Sequence, residues 1–99
     1  MNVTMVRAKV KPESAAEAEA ATRKMFAALN EARPAGVHYA SCKLEDGLTF
    51  VALVALDNPE DNPLVSIPEW AAFQESLERW RDGPPAVERL TVVGSYGLL

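Results

Sequence analysis

An α+β fold in the order β-α-β-β-α-β is what the sequence predicts, and three observations predict it. Two stretches, residues 14–32 and 66–80, carry apolar residues at helical spacing and stop at proline and glycine. The runs around them alternate at strand period or are continuously apolar. Between two of those runs sits Asp46-Gly47, a hairpin signal. At 99 residues the chain reads as a single domain, 1–99, large enough for one core.

The first strand is residues 3–10, VTMVRAKV. Val6, Ala8 and Val10 share one face, and Val3, Met5, Arg7 and Lys9 the other. Pro12 closes it, and Ser14-Ala15-Ala16-Glu17 reads as a capping box opening a helix that runs to about Ala32. Ala18, Ala21, Met25, Leu29 and Ala32 form its apolar stripe, with Phe26 beside it, and Glu19 and Arg23 pair on the wet side. Pro34 and Gly36 end it.

Residues 37–45 and 48–56 are the hairpin strands. An Asp46-Gly47 turn of two residues, each with positive φ, pairs Cys42 with Val51 and Tyr39 with Val54. His38, Ala40, Cys42, Val51, Leu53 and Ala55 then share a face, expected to meet the helices. Tyr39, Ser41 and Lys43 share the other, expected to be free of them together with Arg7.

The loop DNPEDNPLVS is stiffened by prolines and reads as an arm across the sheet edge, a pocket rim or a plain crossover. Ser66-Ile67-Pro68-Glu69 reads as a second capping box, with Val65 and Trp70 as a hydrophobic staple. Trp70, Phe73, Leu77 and Trp80 make the second helix's stripe, Glu75 and Arg79 pair outside it, and Asp82-Gly83-Pro84-Pro85 ends it. Residues 88–97 give the last strand, with Gly94 as a bulge and Tyr96 on it.

This order is the split βαβ, ferredoxin-like pattern: a four-stranded antiparallel sheet with two helices on one face. The hairpin's second strand, LTFVALVAL, is apolar on both sides. An antiparallel sheet in a small domain ordinarily keeps one wet face, so a second cover is needed, most simply another copy of the chain. A homodimer through the sheet face is the expectation.

Net charge is −4 with both signs mixed along the chain, which argues against nucleic acid or an anionic membrane as partner. No apolar run approaches a membrane span, and the amino-terminal stretch has no signal-peptide pattern. Cys42 is the single cysteine, so no internal disulfide forms, and a cytoplasmic location is expected. No phosphate loop, dinucleotide fingerprint or zinc spacing is present, and Asp57, Glu60 and Asp61 match no calcium loop; no cofactor and no metal are expected.

In length, element order, the strand LTFVALVAL and the helix SIPEWAAFQESLERW, the chain resembles the dimeric α/β-barrel superfamily, most of all its small antibiotic-biosynthesis-monooxygenase-like domains. The resemblance implies two sheets packed face to face across a dimer with helices outside. It implies activities ranging from cofactor-independent oxidation of aromatic polyketides with O₂ to quinol oxidation and haem degradation, alongside members with no known activity. The Glu-x-Tyr-like signature of many members is replaced here by Val54-Ala55-Leu56, and the second helix has no histidine, with Trp80 in its place. The haem-degrading branch combines Asn, Trp and His; only Trp70 is matched here and Trp80 stands where the histidine would, so the resemblance disfavours haem degradation.

Two functional expectations follow. One is a cofactor-independent monooxygenase acting on a small aromatic or quinol-type molecule; the other is a non-catalytic, dimeric small-molecule-binding or stress-associated protein. For the first, Trp70, Phe73 and Trp80 would wall the substrate pocket, with Cys42 beside it as a small buried hydrophobe. His38 would be the base, and Tyr39 or Arg7 would hold a phenolate. Against this stands the structural alternative, in which the aromatics at spacing 3 and 7 fill a core and His38 and Arg7 are solvated strand residues.

Overall fold

The computed structural model describes residues 2–98; the expected domain span, 1–99, extends one residue beyond these at each end. Strand β1 (Asn2–Lys9) leads through a single 3-10 turn, Pro12–Ser14, into α1 (Ala15–Ala32). The hairpin β2 (Val37–Lys43) and β3 (Thr49–Leu56) follows, then the second 3-10 turn, Pro63–Ser66, α2 (Pro68–Trp80) and β4 (Ala86–Thr91). The sheet is antiparallel in the order β2-β3-β1-β4, so the doubly apolar β3 lies inside it, and both helices pack on one face.

Two clusters make the core. Met25 and Leu29 of α1 meet Leu64 and Ile67 from the connection before α2. At the other end, Val10 and Ala18 close on Trp80. Backbone bonds from the Lys11 amide to the Trp80 carbonyl and from Asp82 to Lys9 fasten the end of α2 to the end of β1.

The hairpin register is as predicted, Cys42 opposite Val51 and Tyr39 opposite Val54. Its turn is wider, because Asp46 does not take positive φ; only Gly47 does, at 72°. The Asp46 carboxylate accepts from the amides of Leu48 and Thr49 and from the Thr49 hydroxyl. A side chain that satisfies the turn this way removes the need for two left-handed residues.

The two faces of the hairpin are reversed from expectation, while Arg7 of β1 keeps the helix-free face expected for it. Val37, Tyr39, Phe50 and Val54 are the residues that pack against the helices; Tyr39 meets Phe26 of α1 edge to face at 4.8 Å, and Lys43 pairs with Glu19 of α1. His38, Ala40, Cys42, Val51, Leu53 and the buried Ala55 lie on the helix-free face, with Arg7 in one row with Val51 and Cys42. Strand period fixes which residues share a face; which face the helices cover depends on the handedness of the crossovers and the bulk of the facing side chains.

Neither capping box forms. Ser14 makes no capping bond, since the 3-10 turn already holds it in helical backbone. At α2 the cap is Ile67, with Pro68 at the first helical position, and Val65 is 66% exposed, so there is no staple with Trp70. Ala32 is exposed, and α1 ends at Arg33 in left-handed backbone. Arg79 donates to Ser76 in place of pairing with Glu75. β4 starts two residues earlier than predicted and ends at Thr91, so Gly94 lies outside it and Tyr96 is fully exposed.

The doubled Asp-Asn-Pro has a local explanation. Asn58 Oδ1 accepts from the Glu60 amide, and Asn62 Oδ1 accepts from the Leu64 amide. Each asparagine thus closes the same kind of turn two residues ahead, around its own proline. The second turn delivers Leu64, 1% exposed, into the core.

Candidate functional site

All six residues of β4 are exposed: Val87, Arg89 and Thr91 lie on the helix side without a helix over them, and Ala86, Glu88 and Leu90 lie on the opposite side. The gap is a cleft of about 400 Å³ between α2, the exposed part of the sheet and the loop carrying Pro59 and Asn62. Trp70, Phe73 and Leu77 of α2 form one wall; Val6, Ala52 and Val54 form the floor. Its polar groups are few: Asn2, Thr4, Tyr39, Asn62, Gln74 and Arg89.

Sheet register lines four of these residues up. Tyr39 pairs with Val54, Val54 with Thr4, and Thr4 with Arg89, one row across all four strands, and all four line the cleft. The phenol stands at one end of the row and the guanidinium at the other.

Tyr39 is largely buried, and burial pushes its phenol above the ordinary value, with Trp70 acting weakly the other way through its indole. Tyr39 therefore stays protonated over the neutral range and serves as a hydrogen-bonding group. Asn62 spends its side-chain oxygen on the Leu64 amide, leaving its NH₂ as donor. Arg89 has no ion-pair partner among the described residues. Donors dominate, the walls are apolar, and no carboxylate, imidazole or thiol lines the cleft. Such a lining suits a flat molecule with acceptor groups at its rim.

Of the residues singled out from sequence, Tyr39, Trp70 and Phe73 come together here. Trp80 does not: it is 6% exposed in the core, edge to face with Phe73 at 6.1 Å. Cys42 is exposed on the opposite face, not buried beside a pocket, and Arg7 shares its row. His38 is also on that face, at the sheet end, where Nε2 lies 3.0 Å from Asp57 Oδ1. The sheet thus separates His38 and Arg7 from the cleft.

Thr4, Asn62, Gln74 and Arg89 were missed. Thr4 shares the period of Val6, and Arg89 alternates with Glu88 and Leu90, so strand parity would have placed both once the covered face was known. Asn62 lies in the loop for which a pocket rim was one of three readings, and Pro59 and Asn62 of that loop border the cleft with Trp70. Among the described residues no group of three or more His, Cys, Asp or Glu side chains could hold a metal ion, and no helix is long and apolar enough to cross a membrane.

No family model matches the chain, and no curated protein matches it. Solved structures do. A Nitrosomonas europaea protein provisionally described as an antibiotic biosynthesis monooxygenase superposes with a TM-score of 0.77 at 19% identity, over 95% of this chain and 100% of its own. A second Nitrosomonas europaea protein, of unknown function, gives 0.75 at 16% identity, over 96% and 91%. SnoaB, a cofactor-independent oxygenase from Streptomyces nogalater, gives 0.68 at 18% identity, over 97% of each chain. The chain therefore has the fold of the antibiotic-biosynthesis-monooxygenase-like proteins, as its element order predicts.

Proposed function

We propose that this chain forms a homodimer through its helix-free sheet face and that each cleft takes a small aromatic or quinol-type molecule and oxidises it with O₂ without a cofactor. The observation that carries the reading is the cleft itself: an aromatic wall from α2, an apolar floor, and donors at the rim. The shared fold with an oxygenase that needs no cofactor supports it.

In such a reaction the substrate supplies the electrons. An electron-rich ring loses an acidic proton, the anion reduces O₂, one oxygen atom enters the ring system and the other leaves as water. The cleft's part is to hold the ring against Trp70 and Phe73, keep bulk water from the reacting carbon, and stabilise the anion with the Tyr39 hydroxyl and the Asn62 amide. His38 has no place in this scheme, so the proton leaves to solvent as the substrate enters, which restricts the substrate to compounds acidic in their own right.

Oxygen uptake with hydroxyanthrones and naphthoquinols tests the reading. The expected result is uptake above the uncatalysed rate, reduced about 100-fold in Trp70→Ala as positioning is lost. The lack of a carboxylate or imidazole in the cleft favours the second reading, a binding protein without turnover. Tight binding of these compounds with no oxygen uptake would establish that one and end the first.

A further inference from the structure

We infer that the cleft selects ligands carrying a carboxylate, held by Arg89, on a flat apolar body of about two rings; this rests on the cleft being a ligand site. Arg89 is the one charged residue among those lining the cleft. It reaches there because β4 pairs antiparallel with β1 in a register that sets Arg89 opposite Thr4, on the helix side of the sheet, while its neighbours Glu88 and Leu90 fall on the other side. Among the described residues no acidic side chain forms an ion pair with it. The loop acids Asp57, Glu60 and Asp61 are close in sequence to the lining residues Pro59 and Asn62, yet Asp57 is engaged with His38 and none pairs with Arg89.

The row Tyr39–Val54–Thr4–Arg89 acts as a ruler. Strands stand about 4.8 Å apart, so three steps separate the Tyr39 and Arg89 backbones by about 14 Å. The two side chains take up part of that span, and Val54 with Ala52 and Val6 leaves an apolar bed between them. A guanidinium meets a carboxylate with two parallel N–H···O bonds, which a neutral amide cannot match. The far end of such a ligand then meets the Tyr39 hydroxyl beside Trp70.

The test compares naphthalene-2-carboxylate with naphthalene-2-carboxamide, equal in shape and different in charge. Calorimetry at pH 7 gives the affinities, and the Trp70 indole N–H resonance reports whether each probe enters the cleft. The carboxylate is expected to bind about tenfold more tightly. In Arg89→Gln the ratio falls to about one, with the carboxamide affinity unchanged; in Arg89→Lys part of the preference remains. Arg89 is exposed on an edge strand, so these variants keep the fold. Equal binding of both probes with a shifted Trp70 signal, or a preference that survives Arg89→Gln, overturns the selectivity and leaves the cleft as a ligand site. A Trp70 resonance unmoved by either probe overturns the cleft reading, and this inference with it.

Discussion

The same four strands present two faces, one roofed and one bare. On the roofed face, Phe50 and Val54 lie under α1 and α2 with Tyr39 and Phe26 locked edge to face. On the bare face, Met5, Val51 and Leu53 are half-buried with no helix over them, Val3 and Ala55 are buried toward the His38 end, and Cys42 is exposed. Alternate residues of β3 are almost equally apolar, so hydrophobicity does not separate the two faces; the cover does. The bare face is where we propose the partner copy packs. The site arises at the one place where the roof stops short, beside β4. A small domain that covered both faces by itself would have neither.

The largest effect is expected under the roof. Leu64 is 1% exposed and is the residue the second Asx turn carries into the core. Leu64→Ala should lower stability by about 3 kcal/mol in chemical denaturation at fixed protein concentration. A loss under about 1 kcal/mol would mean the loop is a loose lid over a core that stands without it.

A change on the bare face should act on assembly more than on folding. Leu53 lies centrally there, opposite both Met5 and Ala40. In a face-to-face dimer, Leu53→Lys buries an unpaired cation and should weaken association roughly 100-fold. Sedimentation velocity at micromolar concentration would show the native chain as dimer and the variant as monomer. A native chain that is already monomeric ends the argument from the doubly apolar strand.

How much of this contrast the sequence displays depends on the physics behind each part. Element order and the β2–β3 register follow from periodicity and one Asp-Gly, because strand period and turn position are local. Within the hairpin the contents of each face hold, His38 with Cys42 and Tyr39 with Lys43, but Arg7 of β1 falls with Cys42 and not with Tyr39. The assignment of the roof was reversed, because no local signal in a strand says on which side a helix twenty residues away will return. That single inversion put His38 and Cys42 on the wrong side, split Tyr39 from Trp70, its neighbour in the cleft, and grouped Arg7 with Tyr39 when its row is that of Val51 and Cys42. Helix starts failed for a different reason: proline-containing 3-10 turns occupy the positions where Ser14 and Ser66 would have capped.

Tyr39→Phe should be smaller and visible mainly in alkali. Burial raises the folded phenol's pKa above its ordinary 10.0, so the folded state favours the protonated form. That stability is present in full below about pH 10 and is lost as pH rises toward the raised folded value. The phenylalanine variant should keep the native stability near neutrality and show a shallower decline above pH 10, measured by denaturant titration. An unchanged alkaline slope would mean the hydroxyl is hydrated through the cleft mouth.

The smallest effect belongs to Asp46, whose carboxylate closes the turn before β3. Its carboxylate holds two amides and the Thr49 hydroxyl, and those bonds lower its pKa, the Thr49 hydroxyl first. A lowered carboxylate contributes stability that is present above its ordinary value near 3.8 and lost as pH falls through the folded value. Asp46→Asn keeps one acceptor oxygen and removes the charge, so the neutral stability should fall slightly, toward the native chain's acid value, and the acid limb of the stability curve should flatten. The register should survive, because a one-residue slip would bring Phe50 and Val54 out of the roof and turn Leu53 into it. Cross-strand amide contacts between Cys42 and Val51 in nuclear magnetic resonance check this directly. Their loss in Asp46→Asn would show that the turn, more than the packing of the roofed face, chooses which side of the sheet is covered.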